Sequence, residues 1–92
     1  MGNAVATLQV MPISPDVDMD ALEKRALKAV RSFNGGKDTK VQIVPIAFGL
    51  KSINITFVME ESLGSPDHLA ETVGQLEDVN SAQITDVRRA IG

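Results

Sequence analysis

Residues 41–59 read VQIVPIAFGLKSINITFVM, and this stretch decides the fold. In its second half Ile53, Ile55, Phe57 and Met59 fall on one face and Asn54 and Thr56 on the other. That period of two marks a half-buried strand over residues 51–59. The first half belongs to a strand over residues 39–47, alternating through Val41 and Ile43. Pro45 has no N–H to give to a ladder, which predicts an edge strand or a bulge at that point. Gly49 punctuates the pair, and two strands this close in sequence pair as an antiparallel hairpin.

The flanks repeat one another in outline. Upstream, Met19, Leu22, Ala26, Ala29, Val30 and Phe33 make an apolar stripe at helical spacing over residues 19–33. Asp18 is the expected N-cap, and Asn34-Gly35-Gly36 supplies the left-handed residues that end the helix. Lys24, Arg25, Lys28 and Arg31 fall off the stripe. Before the helix, residues 4–11 (AVATLQVM) alternate as a strand, and Pro12 and Pro15 close it with a loop. Downstream, Ser65 is the expected N-cap and Pro66 the first position of a second helix. Its stripe is Leu69, Val73 and Leu76, slightly weakened by Gly74. Residues 79–87 form the last strand, with Ala82 and Ile84 inward.

The order strand, helix, strand, strand, helix, strand predicts an α+β fold: a ferredoxin-like βαββαβ sandwich. Right-handed crossovers put both helices on one face of a four-stranded antiparallel sheet. The first and last strands are expected side by side in the middle, with the other sheet face left to water or a partner. Residues 1–92 are expected to form a single domain, with no linker or low-complexity segment.

Composition narrows the function classes. Hydrophobic residues are 43% and charged residues 23% of 92, as in globular domains. There is no Cys and one His, which excludes disulfides, thiolate sites and His-cluster zinc sites. A net charge of −3 and three Phe without Trp or Tyr argue against direct nucleic-acid binding. An RNA-recognition domain of this strand order needs aromatics where Thr7, Gln9, Asn54, Thr56 and Val58 should face out. No apolar run reaches the roughly 18 residues of a bilayer span. No signal peptide is evident, and Ala6 stands where a myristoylation motif wants Ser or Thr. The expected location is the cytoplasm.

Chemical motifs are sparse. His68 reads as an exposed polar residue in the first turn of the second helix. Glu60-Glu61 reads as a solvated strand end. Asp16, Asp18 and Asp20 lack the Gly and Glu of a calcium loop and read as helix-capping acids. Gly35-Gly36-Lys37 follows a helix instead of opening one, so it is a turn and not a phosphate loop. No catalytic residue, metal ligand or cofactor site is expected. Two features stand apart. Pro45-Ile46-Ala47-Phe48-Gly49-Leu50-Lys51 runs apolar across a hairpin tip that should be polar; Phe48 either tucks under the sheet end or stands out as an anchor for a partner. Thr85-Asp86-Val87-Arg88-Arg89 puts two adjacent Arg at the end of a strand in an acidic chain. Arg is well shaped for carboxylates and phosphates.

These two segments, with Val5-Ala6-Thr7, Met11-Pro12 and Ser14-Pro15-Asp16-Val17-Asp18, resemble the archaeal elongation factor 1-beta family along the whole chain. The most specific matches are PIAFGLK at residues 45–51 and TDVRR at residues 85–89. The resemblance implies the same ferredoxin-like fold and a guanine nucleotide exchange factor. Its implied partner is elongation factor 1-alpha, the GTPase that delivers aminoacyl-tRNA to the ribosome, from which it would loosen magnesium and GDP. The implied partner-binding residues are Pro45, Ile46, Ala47, Phe48, Gly49, Lys51, Thr85, Asp86, Arg88 and Arg89. Phe48 matches an aromatic that touches the GTPase in eukaryotic relatives. In those relatives a Lys near the C-terminus intrudes near the magnesium site. Here Gly92 or nothing matches it, and Arg88 and Arg89 lie a few residues earlier. The implied factor is not an enzyme in the bond-making sense and holds no stable small-molecule ligand.

The alternative is a small-molecule-binding regulatory domain of the same fold, dimeric through its open sheet face. Such a domain wants a Gly-rich loop after the first strand, where this chain has Pro12-Ile13-Ser14-Pro15. A small enzyme would need a convergent acid–base pair that the sequence does not offer.

Overall fold

The computed structural model describes residues 2–89. Its elements are β1 (Asn3–Pro12), α1 (Met19–Asn34), β2 (Thr39–Pro45), β3 (Lys51–Glu60), a 3₁₀ turn (Glu61–Leu63), α2 (Asp67–Gly74) and β4 (Val79–Arg89). All neighbouring strands pair antiparallel. The fold is the predicted ferredoxin-like α+β arrangement.

The sheet order is β2-β3-β1-β4. This corrects one expectation: β1 and β3 are the central strands, and β4 lies on an edge. A strand spacing of about 4.8 Å means that two helices packed side by side, roughly 10 Å apart, each cross two strand positions. Each crossover therefore skips a place, which the strand of the other half fills. The segment carrying Arg88 and Arg89 is thus an edge, open to pairing or contact. Pro45 ends the opposite edge strand, where its missing N–H costs no ladder bond.

Burial follows the alternation. Ala4, Ala6, Leu8 and Val10 of β1 meet Ile53, Ile55, Phe57 and Met59 of β3 under Leu22, Ala26 and Val30 of α1 and Leu69, Ala70 and Val73 of α2. The rings of Phe33 and Phe57 pack edge to face, 6.2 Å apart. Fully burying side chains of this size is worth about 1.5–3 kcal/mol each, which is what holds so small a sheet.

Asp18 caps α1 as expected, its Oδ1 accepting from Ala21 N at 3.2 Å, and Gly35 ends the helix with φ of 71°. Asn34 has a further role. It is 2% exposed; its Nδ2 donates to Val58 O (2.9 Å) and Lys37 O (3.3 Å), and its Oδ1 accepts from Gly36 N (3.0 Å). The start of α2 moves by one residue: Pro66 is the N-cap and Asp67 the first helical residue. Ser65 still contributes, accepting from Asp67 N at 3.2 Å. Gly74 ends α2, so it weakens no helix interior, and Leu76 packs against the core from beyond it. β2 stops at Pro45 instead of residue 47, and β4 runs to Arg89 instead of Val87.

Candidate partner-binding site

The hairpin tip between β2 and β3 is held by backbone bonds. Ile46 N donates to Leu50 O at 2.8 Å, and Leu50 N donates to Ala47 O at 2.9 Å. The two central residues of the Ala47–Leu50 turn, Phe48 and Gly49, have φ of 56° and 78°. Positive φ at both centres is the twist-matched hairpin turn, normally built from Asn and Gly. Phe in that conformation costs about 1–2 kcal/mol. Its side chain gains nothing in return from the fold, because Phe48 is 95% exposed. The alternative left open by the sequence is therefore settled: Phe48 stands out from the sheet end.

Apolar surface continues from Phe48. Ile46 is exposed beside it, Val44 on the open face and Ile43 on the helix-bearing face of the same hairpin, and Ile13 on the loop after β1. That loop lies against the tip: a Cβ built on Gly49 would sit 3.5 Å from Pro15 Cβ. Pro12, Ser14, Pro15, Met19, Gly49 and Lys51 line a shallow depression of about 120 Å³ between them. A pocket for an organic ligand is usually about 300 Å³ or larger, so this hollow does not favour the regulatory-domain alternative. Ile13 and Pro15 were not among the expected site residues; their loop was read as a break between strand and helix, a poor ligand cradle and part of the family resemblance. Their signal was an apolar residue between two prolines.

The second segment is at the other end of the molecule. Val5 pairs with Arg88 and Ala4 with Arg89, whereas Pro12 pairs with Val79 beside the tip. Seven strand residues separate the level of Arg88 from that of Lys51, about 23 Å at 3.3 Å per residue. The structure thus groups Pro45, Ile46, Ala47, Phe48, Gly49 and Lys51 at one end. It puts Arg88 and Arg89 at the other, with Asp86 and Thr85 nearer mid-strand beside Thr7, and does not bring the two sets together. The long dimension of the chain is 42 Å.

The register of β4 shifts between Thr7↔Asp86 and Leu8↔Ile84, leaving Thr85 as the extra residue of a bulge. The bulge keeps the strand's faces in step with β1. Val5 and Thr7 belong to the open face, so Arg88 and Asp86, their partners, do too. Arg88 Nε donates to Asp86 Oδ2 at 2.7 Å. Arg89, opposite core-facing Ala4, lies on the helix-bearing side. There its Nε and Nη2 donate to Glu61 Oε2 at 3.2 and 3.1 Å. Gly92 lies outside the described residues, as do Met1, Ala90 and Ile91.

The open sheet face presents Thr7, Gln9, Asn54, Thr56 and Val58 on the central strands. Thr7 and Thr56 face each other at 3.4 Å, and Gln83 Nε2 donates to Gln9 Oε1 at 3.0 Å. None of these is an aromatic platform for bases. Among the described residues no three His, Cys, Asp or Glu side chains gather as a metal site. His68 is exposed beside Glu71. No helix among the described residues is long and apolar enough to cross a membrane.

Known proteins resemble the chain along its length. The chain is 42% identical over 92 positions to an elongation factor 1-beta of Methanobrevibacter smithii, covering 97% of this chain and 98% of that one. It is 39% identical over 89 positions to the elongation factor 1-beta of Methanothermobacter thermautotrophicus, with the same shares. It is 31% identical over 83 positions to that of Nanoarchaeum equitans, covering 90% and 100%. Among solved structures it resembles the de novo designed protein Foldit4 (TM-score 0.61, 14% identity, 98% of each chain). It also resembles BlrP1 BLUF (TM-score 0.57, 14% identity, 100% of this chain and 57% of the other). Identities this low speak for the fold alone. Residues 5–90 match the family described as the EF-1 guanine nucleotide exchange domain, a span that takes in both ends of the site, and the chain belongs to that family.

Proposed function

We propose that the chain promotes exchange of GDP for GTP on elongation factor 1-alpha by holding the GTPase at two separated points. The observation that carries this reading is Phe48: a fully exposed aromatic, fixed in a left-handed turn that the fold itself has no use for. Strain kept at one exposed residue points to a task at that residue. The hairpin residues Pro45, Ile46, Ala47, Phe48, Gly49 and Lys51 form the docking point. Thr85, Asp86, Arg88 and Arg89 form the nucleotide-side point, with Arg88 about 23 Å away along the strands. A spacing of that size suits a macromolecular partner and no small ligand.

The mechanism is a coupling of binding equilibria. GDP is held on a GTPase by magnesium and by backbone groups around its phosphates. A factor that binds the nucleotide-free form more tightly must weaken GDP binding by the same factor. An Arg guanidinium reaching the phosphates or the magnesium-holding carboxylates competes with the metal for the same charges. Phe48 keeps the factor attached while the nucleotide leaves. No bond is made or broken, so the chain acts as an exchange factor and not as an enzyme, and the magnesium belongs to the GTPase.

The test is release of a fluorescent GDP analogue from purified elongation factor 1-alpha of the same organism, in excess unlabelled nucleotide. Release should accelerate with the concentration of this chain, and the double variant Arg88→Ala with Arg89→Ala should slow it. Unchanged release with a folded chain and an active GTPase would end this reading.

A further inference from the structure

The two adjacent arginines do not have the same surroundings, and the difference is set by one acid. Glu61 opens the 3₁₀ turn after β3, and its N–H donates to Gly2 O at 3.1 Å. Its carboxylate lies over Gly2, where a Cβ would collide with Oε1. From there it accepts both Nε and Nη2 of Arg89 at 3.2 and 3.1 Å. One residue therefore ties together the start of β1, the end of β3 and the end of β4. Arg88 has no such bracket. Its partner Asp86 stands two residues earlier on the same edge strand and the same face, so the pair moves as a unit.

We propose that Arg89 is a positioning residue, clasped by Glu61 to fix the end of β4, and that Arg88 is the cation presented to the GTPase from the open sheet face. This deepens the exchange reading and rests on it. The Arg89–Glu61 contact joins residues 28 apart in sequence and ties the Ala4–Arg89 ladder pair of an edge strand to the turn after β3. The Arg88–Asp86 contact closes nothing. It pre-aims the guanidinium outward and exchanges Asp86 for an anion of the partner when one arrives.

A charge swap separates the two roles. Arg89→Glu and Glu61→Arg should each lower the melting temperature, by about 1–5 °C for an exposed pair in a domain this small, and the swapped double variant should recover it. In the GDP-release assay Arg89→Glu should lower the maximal rate while leaving the half-saturating concentration, set by Phe48, in place. The swap should restore that rate. Arg88→Ala should lose about fivefold or more in maximal rate at an unchanged melting temperature, and Arg88→Lys should retain part of it. A swap that melts like the parent but releases GDP no faster than Arg89→Glu would overturn the proposal, because Arg89 would then touch the partner itself. Full activity in Arg88→Ala would overturn it too. If the parent chain releases no GDP, the exchange reading fails on its own, and the clasp still stands or falls on the recovery of melting temperature in the swap.

Discussion

The two ends of this molecule are ordered by different means. At the hairpin tip the order is in the backbone: Pro45, two cross-turn bonds and positive φ at Phe48 and Gly49 fix the turn. At the far end it is in side chains: Arg88 with Asp86 and Arg89 with Glu61, each Arg 79% exposed. Exposed ion pairs are weak, about 0–1 kcal/mol, and easily exchanged. A backbone turn is neither. An apolar anchor in a stiff turn loses little freedom when it docks, which favours affinity. A cation held by one exchangeable partner on its own strand, as Arg88 is by Asp86, can be passed to another anion, which favours action on a charged site. The buried faces of β1 and β3 keep the two ends apart.

That division is broken most drastically through the strut. Phe57 is 1% exposed and packs edge to face on Phe33. Phe57→Ala should cost about 3–5 kcal/mol in chemical denaturation and disable both ends together. A variant that stays as stable as the parent would mean the ends are not held by a common core. Next is the docking point. Phe48→Ala should weaken the complex with the GTPase by about 2 kcal/mol or more, as for an aromatic anchor, with no loss of folding stability. Equal affinity in a direct binding measurement would remove Phe48 from the interface.

Legibility in the sequence follows the same line. Alternation through Ile53, Ile55, Phe57 and Met59 declared the strut, because burial on one face leaves a period that sequence carries directly. The tip was visible as apolar residues where a turn should be polar, but not the exposure of Phe48, which depends on a φ value. Strand order was misjudged: periodicity says which face of β4 is buried and nothing about its neighbours. The far end was read as two adjacent cations suited to an anionic partner, without a difference between them. Which side each Arg takes is decided by the bulge at Thr85, and a bulge is a matter of register against β1. Glu61 read as solvated because its partners are far away in sequence. Asn34 read as helix punctuation, and its burial could not be seen before α1 met β3.

Asn34 offers the next test. It joins the end of α1 to β3 beside the clasp, through bonds to Val58 O and Lys37 O. Asn34→Ala leaves those carbonyls short of a donor and should cost about 1–3 kcal/mol by denaturation. Because the tip is remote, affinity for the GTPase should fall less than in Phe48→Ala. A smaller effect separates the ends by solvent. Raising salt from about 0.1 M to about 1 M shortens the screening length from about 10 Å to about 3 Å. The defect of Arg88→Ala should shrink with salt, and that of Phe48→Ala should not. Parallel behaviour of the two would contradict the division of labour.

The smallest effect bears on the strain itself. Phe48→Ala and Phe48→Gly both remove the anchor, so they should bind the GTPase equally poorly. They differ in the backbone. Ala keeps a Cβ in the left-handed region at about 1–2 kcal/mol, whereas Gly adopts it freely but gains about 0.5–1 kcal/mol of freedom in the unfolded chain. The difference leaves Phe48→Gly more stable than Phe48→Ala by about 0.5–1 kcal/mol, readable as a shift of the denaturation midpoint at constant slope. If so, the parent turn carries strain that the fold does not need, and an aromatic is kept there for what it touches. Equal stabilities would mean the turn relaxes around any side chain, and the tip would then be ordered no more firmly than the ion-paired end it is set against.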